Sequence, residues 1–133
     1  MQDYASLKQR VEEEGIDSID FRAPDLMGRF RHLTIPASRL TEAVVREGVG
    51  FDGSNYGYCR ASGSDMVLIP DLSTAYAEER CGERILTLIS GICDAKTRVP
   101  APIDPRGTAA AAVAYMRELG IADDDAAVIT TPN

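Results

Sequence analysis

Residues 85–93, ILTLISGIC, are the most hydrophobic run of the chain. An uncharged aliphatic run of this length reads as a strand buried on both faces at the centre of a sheet. The remaining segments fall into place around it. Ile16–Phe21 mixes apolar and polar residues as a half-buried strand does, the turn-rich stretch APDLMG occupies 23–28, and Phe30–Ile35 reads as a second strand. These predict an antiparallel hairpin. Met66–Ile69 is a short apolar strand stopped by Pro70.

Three helices are expected. Tyr4, Leu7 and Val11 recur at helical spacing over 4–14, and Gly15 ends that helix. Pro36-Ala37-Ser38 introduces a second, with Ser38 as N-cap, Leu40, Ala43 and Val44 facing inward, and Gly48 closing it. The clearest lies at 105–119: Asp104 caps it, Pro105 takes the first helical position and Gly120 follows its end. Its alanines, with Val113, Met116 and Leu119, make a flat apolar face. Residues 48–64 read as a loop, and AAVITT near the C-terminus as a brief strand. The order predicts an α+β fold, a small mixed sheet crossed by helices in a single domain. An N-terminal helix occupies 1–14, the sheet 15–104, and a helix and tail 105–133.

A chain of 133 residues can bury a core without a disulfide or metal staple. Its net charge of −7 repels phosphate backbones and anionic membrane surfaces, so neither nucleic acid nor membrane is an expected partner. Cys59, Cys81 and Cys93 are odd in number and lack C-x-x-C spacing. They read as buried or half-buried small hydrophobes in a reducing compartment. Residues 1–14 are polar and charged, without the apolar core of a signal peptide, and a cytoplasmic location is expected.

Several familiar motifs fail on mechanism. Gly48–Gly53, GVGFDG, matches G-x-G-x-x-G, but a predicted helix precedes it and a loop follows. Dinucleotide binding needs a strand before and a helix N-terminus after. Asp52–Gly57, DGSNYG, opens like a calcium loop, yet position twelve is Gly63 where a bidentate Glu is needed. His32 is the only histidine and sits mid-strand, which leaves no Ser/His/Asp triad or histidine metal cluster. What remains is carboxylates on predicted loops: Asp52 between Gly50 and Gly53 with Ser54 and Asn55 beside it, then Asp65 and Asp71. A carboxylate on a glycine-flanked loop can hold a small cation or accept a proton, and patterning alone also fits solvated turn aspartates.

The ordered elements GFDGS, SDM and PDLST within Gly48–Ala75 resemble the signature of the N-terminal domain of glutamine synthetases. The flanks DLMGRFRHLTIPASRL and CDAKTRVPAPIDPRGTAAAAVAYMRELGI resemble the same family, so the likeness covers roughly residues 15–122. It implies a β-grasp fold. It also implies an enzyme that joins ammonia to the γ-carboxylate of glutamate through a γ-glutamyl phosphate, using ATP and magnesium or manganese. In that family the active sites lie between neighbouring subunits of a ring. By this resemblance Asp52 would bind ammonium and take its proton. Asp65 would border the same pocket, and Asn55 would stand where the family has a second serine. Gly50, Gly53 and Ser54 would shape the loop, and Asp104 and Arg106 of the D-P-R element would be structural. Relatives amidate other amines, and Asn55-Tyr56-Gly57 leaves the amine open. The sequence stops at AAVITTPN, before the family's metal-binding G-P-E-x-E-F element. The chain alone is therefore expected to be inactive and to bind no metal or cofactor. Its partner would be a separate catalytic domain or a neighbouring synthetase subunit. Two other readings stay open: a stand-alone module that modulates a full-length synthetase, and a β-grasp domain reused for protein interaction.

Overall fold

The computed structural model describes residues 3–57 and 65–121. Helix α1 spans Tyr4–Glu13 and buries Leu7 and Val11. Asp3 caps it, accepting the Ser6 N–H at 2.9 Å. Strands β1 (Ser18–Pro24) and β2 (Phe30–Pro36) form the expected hairpin, each somewhat offset from the predicted limits. Their turn is held by Asp25 and by Gly28 at φ 76°.

The second helix is shorter than the sequence predicts. Residues Ala37–Arg39 make a 3-10 turn, and α2 covers only Glu42–Glu47. Its cap is Thr41, whose Oγ1 accepts the Val44 N–H, and not Ser38. The reason is Leu40, which is buried in the core from an extended backbone position and delays the helix by one turn.

Strand β3 (Val49–Asp52) follows at once, so the predicted loop over 48–64 is corrected at its start. Gly48 permits this junction. Its φ is 81°, and an added Cβ would lie 2.4 Å from the Leu68 carbonyl oxygen. Strands β4 (Asp65–Pro70), β5 (Tyr76–Arg80) and β6 (Glu83–Asp94) complete the sheet. The stretch read as irregular after Pro70 thus contains β5, which hairpins into β6 through Cys81 and Gly82, both at positive φ. Helix α3 spans Pro105–Glu118.

The sheet order is β2-β1-β6-β4-β3, with β5 also on β6. The ILTLISGIC run is the centre of the sheet, as its composition demands. Strand β1 pairs in parallel with residues 85–89 of β6, while β5 and then β4 pair antiparallel along its other side. Side chains alternate across the pleat. Ile19, Phe21, Leu86, Leu88, Ile92 and Leu68 therefore share the face covered by α1 and pack as one core. The opposite face carries a polar network beside the buried Ile85, Val67 and Cys93. There Asp20, fully buried, accepts bonds from Thr34, His32 and Arg22, and Arg22 also pairs with Glu78. Burial pushes the Asp20 carboxyl up, and the bonds from Thr34, Arg22 and His32 more than reverse that. His32 is thus a sheet residue tied into this network.

Helix α3 differs from its amphipathic reading. None of its residues is buried among the described residues, and Tyr115 and Leu119 are exposed. Its N-terminus is firmly anchored. Asp104 accepts the Arg106 N–H at 3.0 Å as its cap and the Ile92 N–H of β6 at 3.1 Å.

Candidate functional site

Strand β3 is the outermost strand on one side of the sheet, and Asp52 is its last residue. Gly50, read as a loop residue, lies inside this strand, and an added Cβ there would meet nothing within 4 Å. Asp52 begins a tight 3-10 turn, Gly53–Tyr56, whose first free N–H, from Ser54, its Oδ1 accepts at 2.9 Å. Gly53 packs against Met66: an added Cβ would sit 2.6 Å from its Sδ, so the methionine side chain would have to shift. Gly57 closes the turn in the left-handed conformation.

In the β3–β4 register Asp52 stands directly opposite Asp65. Residues so paired carry their Cβ atoms about 4.5–5.5 Å apart. Phe51 and Met66, one step back, pack toward the core. Alternation therefore sends both carboxylates to the other face, where both residues are exposed. Like charges held opposite each other disfavour the pair unless a cation is near, and such an arrangement attracts one. Residues thirteen apart in sequence are thus brought together.

Asp71 does not join them. It lies beyond the far end of β4, caps the 3-10 turn Leu72–Thr74, and is ion-paired with Arg106. Bonds from Ser73 and Arg106 hold its carboxyl below the usual range. The PDLST and DPR elements are therefore one structural device that ties α3 to the end of β4. Cys93 is buried as expected, but Cys81 is exposed in the β5–β6 turn, and Cys59 lies outside the described residues. Among the described residues no group of three or more His, Cys, Asp or Glu is placed to hold a metal ion. No helix among them is long and apolar enough to cross a membrane.

Ser54 and Asn55 follow Asp52 in the turn. They line one wall of a groove of about 430 Å³, whose other wall is the β1–β2 turn with Arg29 and Arg31. Sequence reasoning took that turn only as a connection. The signal present was the D-x-x-G pattern followed by two arginines at alternate positions.

Comparison with known proteins matches residues 15–98 to the model of the glutamine synthetase β-grasp domain family. The glutamine synthetase of Methylococcus capsulatus is 39% identical over 116 residues, 86% of this chain and 25% of that protein. That of Mycolicibacterium smegmatis is 36% identical over 114 residues, 85% of this chain and 24% of its own length. The chain thus spans about a quarter of the relatives it matches. Among solved structures, Plasmodium falciparum glutamine synthetase superimposes with a TM-score of 0.79 at 20% identity, over 90% of this chain and 23% of that one.

Proposed function

The chain belongs to the glutamine synthetase family by its β-grasp domain, and from that membership we propose that it contributes the Asp52 hairpin end to the ammonium site of a neighbouring subunit's catalytic domain. The observation that carries this reading is the outward placement of Asp52, at the exposed end of an edge strand, opposite Asp65. A negative pair held on a sheet edge can enter a pocket on another polypeptide segment, and it favours a cation there. Ammonium has no lone pair and cannot attack an acyl centre. Asp52 accepts one proton from it, and the ammonia released attacks the γ-carbonyl of the acyl phosphate, expelling phosphate. Asp65 adds to the field that selects ammonium, and the Ser54 N–H bond fixes the Asp52 carboxylate. ATP and divalent metal supply the acyl phosphate in this scheme, held by residues of the catalytic domain.

The test is Asp52→Asn in a full-length synthetase carrying this domain. A positioned base contributes about 10²–10⁴-fold to such a step, so kcat/KM for ammonium falls by about that factor while the amide keeps its place at the turn. Unchanged turnover at limiting ammonium would refute the role given to Asp52.

A further inference from the structure

The groove between the β1–β2 turn and the Ser54–Asn55 wall is positively charged in a chain whose net charge is −7. Its organiser is Asp25, whose side chain is 2% exposed. Asp25 Oδ1 accepts the N–H groups of Met27 and Arg29, each at 2.9 Å. Its Oδ2 accepts Arg31 Nε at 2.9 Å and Arg29 Nε at 3.3 Å. Four bonds occupy the acceptor sites of a carboxylate, so Asp25 has none left for a ligand. The Arg29 N–H, with Arg31 behind it, holds its carboxyl down to about 2, well ionised at neutral pH.

Each guanidinium is therefore gripped by its Nε edge. Arg29 is 67% exposed and Arg31 42%, which leaves their terminal Nη groups toward solvent and the groove. Two cations against one spent carboxylate leave one net positive charge. The planar fork of arginine suits a carboxylate in bidentate fashion. The same turn exposes Leu26 and Met27 along the groove, beside those cations. The volume lies within the range of small-molecule sites.

We propose that this groove binds a small carboxylate bearing an aliphatic stem. The carboxylate takes the Nη groups of Arg29 and Arg31, Ser54 and Asn55 close the polar side, and the stem lies on Leu26 and Met27. A monoanion neutralises the site, whereas a phosphate dianion overcharges it. This proposal does not depend on the role given to the Asp52–Asp65 pair.

The experiment is an NMR titration of the ¹⁵N-labelled full chain with pentanoate, acetate and inorganic phosphate at pH 7.5 and constant ionic strength, with chloride as reference. Expected are saturable shifts at the Arg29 and Arg31 Nε–H and the Ser54 and Asn55 amides. Pentanoate binds about threefold tighter than acetate through its partly covered stem, and both bind tighter than phosphate. Arg31→Gln weakens pentanoate about tenfold or more. Arg29→Gln, at the more exposed position, weakens it too and guards against a disturbed turn in the first variant. Shifts that never saturate and match chloride, tighter binding of phosphate, or unchanged affinity in both variants would each overturn the proposal.

Discussion

Replacing Asp104 with alanine tests how the central strand and the last helix are joined. Asp104 is buried and its two oxygens do different work. One caps α3 through the Arg106 N–H, and the other accepts the Ile92 N–H near the C-terminal end of β6. Loss of an N-cap costs about 1 kcal/mol. A buried N–H left without an acceptor costs about 1–3 kcal/mol more. Asp104→Ala should thus destabilise the domain by about 2–4 kcal/mol. At about 2.1 cal/mol/K per residue, the unfolding entropy of a domain this size is about 0.28 kcal/mol/K, so 3 kcal/mol lowers Tm by about 11 °C. Asp104→Asn keeps one acceptor oxygen and a good capping residue, so its cost is about 1–2 kcal/mol. Urea and thermal unfolding followed by circular dichroism measure both. If Ala costs less than about 1 kcal/mol, or if Asn costs as much as Ala, the division of labour between the two oxygens is wrong.

Gly48→Ala meets both a backbone conformation near glycine's own territory and the Leu68 carbonyl. It should cost at least about 3 kcal/mol, against about 1 kcal/mol for Gly82→Ala, where φ is also positive but the surroundings are open. Comparable urea midpoints for the two would refute the steric argument. Asp20 and Asp25 both titrate below their ordinary range in the folded chain. A carboxyl with a depressed folded pKa binds fewer protons than in the unfolded chain, so its stabilisation is present above about pH 4 and is lost as pH falls toward 2. Asp25→Asn should flatten the fall in urea midpoint between pH 4 and 2.5, and an unchanged slope there would contradict the assignment.

Most local signals survived the passage from sequence to structure, and of the pairings the β1–β2 hairpin did. The Asp104-Pro105 cap and the Gly120 stop are written in adjacent residues and are found as read. The central place of residues 85–93 follows from hydrophobicity alone. Strand β5 was invisible because YAEER is largely charged and becomes a strand only by lying against β6. Strand β3 was invisible because two of its four residues are Gly50 and Asp52, poor strand formers held by β4. Ser38 fitted a cap pattern as well as Thr41 does, and only the burial of Leu40 decides between them. The Asp52–Asp65 juxtaposition was legible from family likeness, and its cross-strand register was not. The grip of Asp25 on two arginines depends on how a hairpin end folds back, which no spacing rule encodes.

Strand β6 serves two sets of neighbours in succession: β1 and β5 along residues 83–89, and β4 along residues 90–94. The hairpin that carries Asp52 is thereby mounted like a paddle on a five-residue joint, with Ile92 at its middle. The aim of the acidic tip is set at that joint, and because its Leu68–Ile92 pair belongs to the same core as Phe21, the reactive edge is held in register with the interior of the domain.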